Sequence, residues 1–210
     1  MKIFVATPSY DGNYCGNFML SFLQLMLNAK SRGHEIMFTQ LWHESLVTRA
    51  RDRLLRAFLV TDADCIAWID SDIGFNADDI FRMCESKEKF VVGRYPKKGD
   101  PKKPLEYVMS DSNGEPNDEG LLPVHYAGTG FMVWKREVAE RLVELVKLHP
   151  YRVDSRNKEI FYPVFRTPVA DGILLSEDYC VCMDWINLGE KVYLDPKVVT
   201  THKGSYVWGT

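Results

Sequence analysis

Apolar residues change their spacing along the first half of the chain in a regular way, and each change predicts a new element. Residues 2–6, Lys-Ile-Phe-Val-Ala, read as a short first strand, and the turn-rich stretch Thr7 to Asn13 follows it. From Asn17 to Lys30 the apolar positions Phe18, Phe22, Leu25, Met26 and Ala29 recur at helical spacing, with Gly33 as the stop. His34 to Gln40 reads as a second strand. Ser45 to Leu59 reads as a second helix, apolar along Leu46, Ala50, Leu54, Leu55 and Phe58 and basic along Arg49, Arg51, Arg53 and Arg56. After the Asp62-Ala63-Asp64 turn, Ile66 to Ile69 are continuously apolar, as in a strand covered on both faces. Asn76-Ala77-Asp78-Asp79 opens a third helix with an N-cap and acid in its first turn. The order βαβαβα by residue 85 predicts an α/β chain with a mostly parallel sheet.

Beyond Phe90 the pattern changes character. A short strand at Phe90 to Gly93 leads into a loop, Arg94 to Pro104, with three prolines and five basic residues. Leu105 to Met109, Val124 to Ala127 and Gly130 to Trp134 read as strands joined by a polar turn around Asn113 to Glu119, so the second half is more β-rich and partly antiparallel. Lys135 to Leu148 reads as an amphipathic helix stopped by His149-Pro150. Ile160 to Phe165 reads as a strand, Ser176 as the cap of a helix running to Leu188, and Lys191 to Leu194 as a last strand before the tail Thr200 to Ser205. The 210 residues are read as one domain.

Composition narrows the partners. A formal charge of −3 and a pI near 6.0 give no general basic field of the kind that draws proteins to nucleic acid. Five cysteines without a regular framework suit a reducing compartment, and Cys180-Val-Cys182 has no second pair at zinc-like spacing. The opening apolar run is too short for a signal peptide, and no run approaches the roughly 20 apolar residues of a membrane span. A cytoplasmic location follows as the expectation.

The chemistry concentrates at Cys65 to Phe75, where the apolar run ends in Asp70 and Asp72 with Ser71 between them. Ligands of open α/β sheets bind beyond the carboxyl ends of the strands. Two hard oxygen donors there suit Mn²⁺ or Mg²⁺, ions commonly held by one or two carboxylates plus substrate phosphates. Turn formation alone accounts for such aspartates equally well.

Taken together, Val5-Ala6-Thr7-Pro8-Ser9, Thr48-Arg49-Ala50-Arg51-Asp52, Trp68-Ile69-Asp70-Ser71-Asp72-Ile73, Gly128-Thr129-Gly130-Phe131-Met132, Ser176-Glu177-Asp178-Tyr179 and His202-Lys203-Gly204 occur in an order and spacing that resembles the GT-A glycosyltransferases, especially the family-2-like domains. The length and the end of the chain shortly after His202 are also similar to a glycosyltransferase domain of a large DNA virus of algae, within a longer multidomain protein. The resemblance implies a GT-A, Rossmann-like, mostly parallel sheet flanked by helices, with a smaller antiparallel acceptor part, residues 1–100 forming the nucleotide-binding half and 101–210 the acceptor-binding half. It implies transfer of a sugar from a nucleoside-diphosphate donor, UDP in first place, to a hydroxyl of a glycan or glycoprotein. Asp70, Asp72 and His202 would hold the metal. Thr7, Pro8, Ser9, Tyr10, Arg49, Arg51, Asp70 and Ser71 would bind the donor, with Gly128, Thr129 and Gly130 admitting a sugar ring. Asp178, with Glu177 beside it, would take the acceptor's proton, although the helix macrodipole explains both carboxylates without catalysis. The loop Lys97 to Lys103 would close over the phosphates, and Trp208 would contact sugar, whereas Trp68, Trp134 and Trp185 read as core.

Two rivals stay open at this point. A sugar-phosphate nucleotidylyltransferase also uses an α/β sheet and a divalent ion, but a Gly-rich loop is expected after its first strand, and Thr7-Pro8-Ser9-Tyr10-Asp11 has none. A catalytically inactive carbohydrate-binding or scaffold domain is the other.

Overall fold

The computed structural model describes residues 1–99 and 103–204. Asp100 to Lys102 of the basic loop, Ser205 and Trp208 lie outside the described residues. Strand β1 (Lys2–Pro8), helix α1 (Gly16–Ala29) with a short 3₁₀ turn after it, β2 (Glu35–Leu41), α2 (Val47–Leu59), β3 (Cys65–Ile69), β4 (Ile73–Gly74) and α3 (Ala77–Glu85) realise the alternation read from the first half. Then come β5 (Phe90–Val92), β6 (Leu122–Val124), β7 (Phe131–Lys135), α4 (Arg136–Val146), β8 (Val169–Ala170), β9 (Ile173–Leu174), α5 (Glu177–Asn187), β10 (Val192–Leu194) and β11 (Thr201–His202).

The central sheet has the order β2-β1-β3-β7-β5-β10-β6. Parallel pairing joins β2 to β1, β1 to β3 and β5 to β10; β7 runs antiparallel between β3 and β5, and β6 antiparallel at the edge. The result is a mixed α/β architecture with a large, mostly parallel sheet. Alternation along the strands sends Phe4, Ile66, Trp68, Met132 and Trp134 to one face, packed with Leu54, Phe58, Leu142 and Trp185 of α2, α4 and α5. Ile3, Val5, Cys65, Ala67, Ile69 and Val133 face the other way, against Phe18 and Leu25 of α1 and Ile80 and Phe81 of α3. Both faces are covered, which is why β3 reads as an unbroken apolar run. Trp68, Trp134 and Trp185 are completely buried core side chains, as expected.

Two expected strands are absent. Leu105 to Met109 contributes only the isolated bridges Tyr107 with Pro96 and Met109 with Ala127, and Ile160 to Phe165 only the bridge Phe161 with Tyr151. Their apolar residues pack singly, and their backbone groups find other partners: the Phe165 N–H donates to the buried Asp52 carboxylate at 3.0 Å. Asn76 caps α3 by accepting from the Asp78 N–H at 3.0 Å. Ser176 stands at the N-cap position of α5, but its hydroxyl donates to the Asp178 carboxylate instead of capping the helix. Among the described residues no helix is long and apolar enough to cross a membrane.

Candidate active site

Parallel pairing of β1 with β3 brings their carboxyl ends side by side. Pro8, Ser9 and Tyr10 therefore meet Asp70, Ser71 and Asp72 across a cavity of about 270 Å³, closed on its third side by Glu44, Ala50 and Arg51. A tight turn fixes the aspartates. The Asp70 N–H donates to the Gly130 carbonyl at 3.0 Å, and the Asp70 carbonyl accepts from Ile73 at 3.1 Å. Ser71 and Asp72 offer their carbonyls to the N–H groups of Cys15 and Lys203, each at 2.9 Å.

The two aspartates have different partners. Asp70 Oδ1 accepts from Arg51 Nη2 at 3.1 Å, and Glu177 Oε1 lies 3.7 Å from Arg51 Nε. Arg51 is only 4% exposed, and among the described residues its Nε and Nη1 have no hydrogen-bond partner. Burial opposes the Arg51 charge, but Asp70 and Glu177 outweigh it and keep the guanidinium pKa above its ordinary value. Burial pushes the Glu177 carboxyl up, against the pull of Arg51. Asp72 instead faces Lys98, whose ammonium donates to Oδ2, and His202, whose Nε2 lies 3.4 Å from Oδ1. Burial raises the Asp72 pKa, but His202 and Lys98 outweigh that and hold it below the usual carboxylate range.

His202 arrives from the far end of the chain. Strand β11 pairs antiparallel with β4 and sets His202 opposite Ile73, one residue from Asp72. Its Nδ1 donates to the Pro96 carbonyl at 2.7 Å, which turns Nε2 toward Asp72. Burial lowers its pKa, but Asp72 and the Pro96 carbonyl outweigh that and raise it.

The expected trio Asp70, Asp72 and His202 is thus not one cluster: among the described residues no three His, Cys, Asp or Glu side chains group as metal ligands. Asp70 is drawn to Arg51 by charge. Asp72 and His202 do fit a divalent ion, as a hard carboxylate oxygen beside an imidazole nitrogen oriented by a backbone carbonyl. The charge balance fits as well. Among the described residues, Asp70, Glu177 and Asp178 surround Arg51 and Asp72 meets Lys98, so these four carboxylates outnumber the two permanent cations they pair with, an excess that a divalent ion would offset when a diphosphate binds.

Other expected residues take different places. Arg49 is held by both Glu44 oxygens at 2.6 Å and does not line the cavity, whereas Glu44 does. Thr7 is fully buried, and Ser9 binds the Asn13 carbonyl through its hydroxyl at 2.8 Å; Tyr10 is 66% exposed at the cavity rim. Asp178 Oδ1 accepts from Ser176 and from the Tyr179 N–H at 2.9 Å. Thr129 is buried between the two glycines. A Cβ on Gly128 would stand 1.9 Å from Tyr95 Oη, and one on Gly130 would stand 2.8 Å from Tyr95 Cζ and 3.0 Å from Asp70 Oδ2. The close approach that these glycines permit is that of Tyr95, whose Oη accepts from the Gly130 N–H at 3.3 Å. Sequence reasoning missed Tyr95 and Glu44. The available signal for Tyr95 was its place just beyond a strand end, as for Asp70.

No protein-family model matches the chain, and no curated protein matches it. Among solved structures it is similar to A197 from STIV, with 17% identity, 98% of this chain and 87% of that one covered, and a TM-score of 0.57. Looser likenesses include the inositol-1-phosphate CTP transferase from T. maritima, at 12% identity over 96% and 88% of the two chains with a TM-score of 0.48. A glycosyltransferase involved in the glycosylation of the major capsid of PBCV-1 is similar at 10% identity over 70% and 67%, with a TM-score of 0.37. The first likeness shows that the fold of this chain is shared with A197.

Proposed function

We propose that the protein is a glycosyltransferase of the GT-A type that moves a sugar from a nucleoside-diphosphate donor, UDP in first place, to a glycan hydroxyl. The observation that carries this reading is that Asp72, with His202 beside it, and the partner-poor guanidinium of Arg51 line one cavity beyond β1 and β3, Asp72 and Arg51 directly and His202 through its contact with Asp72. The strand-end loop, with Tyr10 at its rim, binds the nucleotide, and the free N–H groups of Arg51 take phosphate oxygens. Asp72 and His202 hold the divalent ion, Mn²⁺ or Mg²⁺. When bound, such an ion stabilises the negative charge of the departing diphosphate. On the acceptor side Asp178 is the base. Ser176 and the Tyr179 N–H anchor one of its oxygens and leave the carboxylate aimed by the first turn of α5. Glu177 keeps Arg51 in place. The five cysteines are all unpaired, even Cys65 and Cys84 with sulfurs 3.4 Å apart, which supports action in the reducing cytoplasm.

A panel of UDP- and GDP-sugars with Mn²⁺, scored by donor hydrolysis and thermal shift, tests the reading. The right donor raises the melting temperature by mass action. Asp72→Asn lowers turnover by about 10²-fold or more, the cost of losing a group that stabilises transition-state charge. Pyrophosphate release from UTP and a sugar phosphate would instead identify a nucleotidylyltransferase, and silence across the panel a scaffold.

A further inference from the structure

Lys98 holds the position that a divalent ion would contest. Its ammonium sits on Asp72 Oδ2 while His202 faces Oδ1, so both carboxylate oxygens of Asp72 have partners. The side chain is 47% exposed, and its stem lies along Gly204, where a Cβ would meet Lys98 Cγ at 3.5 Å. The backbone that carries it is firmly placed. Arg94 O accepts from Thr200 Oγ1 at 3.0 Å, Tyr95 O from Val108 N at 3.1 Å, and Pro96 O from His202 Nδ1 at 2.7 Å; Lys97 N donates to Glu106 O at 2.7 Å. The segment 94–97 is therefore fixed beside the Asp72–His202 pair, and the half-exposed Lys98 side chain reaches Asp72 from its end.

We infer that Lys98 is an exchangeable counter-ion: it neutralises Asp72 in the free protein, gives up that carboxylate when a divalent ion binds, and then pairs with the donor's diphosphate. This rests on the proposed use of Asp72 and His202 by a metal. Its physical basis is that an ammonium is a compact point charge on a flexible stem, well suited to changing partners, whereas Arg51 is buried and fixed between Asp70 and Glu177. An ammonium and a divalent cation held on the same carboxylate repel each other across a few ångströms, so the two compete for Asp72. A diphosphate bound beside Asp72 would offer Lys98 a second anion within reach of its flexible stem.

The test is binding rather than turnover. Mn²⁺ alone is titrated by electron paramagnetic resonance into the wild-type chain, Lys98→Met and Asp72→Asn; UDP is then titrated calorimetrically at saturating Mn²⁺. Lys98→Met is expected to bind free Mn²⁺ about tenfold more tightly than wild type and Mn²⁺-loaded UDP about tenfold more weakly, a coupling of ordinary size for one exchanged charge contact. Asp72→Asn is expected to lose Mn²⁺. Equal or weaker Mn²⁺ binding in Lys98→Met, with Asp72→Asn still blind to the metal, overturns the exchange and leaves the metal placement standing. Mn²⁺ binding retained by Asp72→Asn overturns the metal placement and the exchange together. Tighter Mn²⁺ without weaker UDP overturns the phosphate half.

Discussion

The two sides of the candidate site are built differently. On the β1–β3 side, Pro8 to Tyr10 and Asp70 to Asp72 are delivered by adjacent parallel strands in fixed register, buried on both faces. On the other side, Tyr95 to Lys98, Gly128 to Gly130 and the stretch 151–165 have little or no regular structure, and single side chains place them: Tyr95 against the glycines, His202 on Pro96, Asp52 on Phe165. A strand delivers a functional group with many small, redundant interactions. A loop delivers one through a few contacts, each of which matters. The lesson is that substitutions at the joints between the two sides cost more than their exposure suggests.

Arg51→Met breaks that comparison most severely, because Arg51 joins α2 to both Asp70 and the first turn of α5. Without it Asp70 and Glu177, 28% and 16% exposed, face each other with no cation between them. Removing one partner of a buried pair costs about 3–5 kcal/mol, and the lower end applies here because Asp70 keeps some water. Urea unfolding at pH 8 measures it. The loss shrinks on acidification, since the Glu177 carboxyl, already pushed up by burial, takes a proton first. A loss below about 1 kcal/mol, the size of a surface pair, would mean that the two sides are not joined at Arg51.

Asp52 makes the second joint, from the same helix to the 151–165 stretch, and it is sensitive to pH. It accepts from Tyr151 Oη at 2.9 Å and Phe165 N at 3.0 Å, yet burial outweighs these bonds and pushes its pKa from 3.8 to about 7. The folded protein therefore keeps a proton that the unfolded chain releases, so stability falls as the pH rises between about 4 and 7. Asp52→Asn preserves the shape, and its amide can still accept from Phe165. It is expected to be more stable than wild type above pH 7, by roughly 2–4 kcal/mol at most, with the gap closing toward pH 4. Denaturant midpoints at pH 4, 6 and 8 check it; a gap that does not vary with pH would remove the titration from Asp52.

Legibility followed the same division. The order of the first five elements, the both-faces burial of β3 and the placement of Asp70 and Asp72 at its end could all be read from apolar spacing, because each is a local property repeated over several residues. The region from 94 to 121 could not, since an apolar residue such as Tyr107 or Val108 looks like a strand residue whether or not a neighbour pairs with it. His202 was reached only through the resemblance. Its place depends on β11 finding β4 more than a hundred residues away, and no local pattern encodes that pairing. The splitting of the aspartates between Arg51 and Lys98 was likewise invisible, because Asp-Ser-Asp spacing does not say which cation each carboxylate will meet.

The smallest of these effects is also the one that separates packing from sugar binding at the glycine pair. At Gly128 the space for a side chain is filled by Tyr95 Oη at 1.9 Å and Val108 Cγ1 at 2.8 Å. Gly128→Ala therefore forces the Tyr95 ring aside, at about 1–3 kcal/mol for overpacking a filled site. Tyr95→Phe removes the atom nearest to the new methyl but leaves Cζ, 2.7 Å from the added carbon, so the double variant should recover part of that loss and not all of it. A double-mutant cycle by thermal unfolding reads the coupling directly, and residues in contact typically show about 0.5–3 kcal/mol. Coupling near zero, joined to a selective loss of donor or acceptor binding in Gly128→Ala, would return the glycine to the sugar. Coupling of the expected size assigns it to Tyr95, and through the Tyr95 hydroxyl to the Gly130 N–H, whose own carbonyl holds the Asp70 backbone. In that case the loop side sets the position of the strand side's aspartate through three contacts in series.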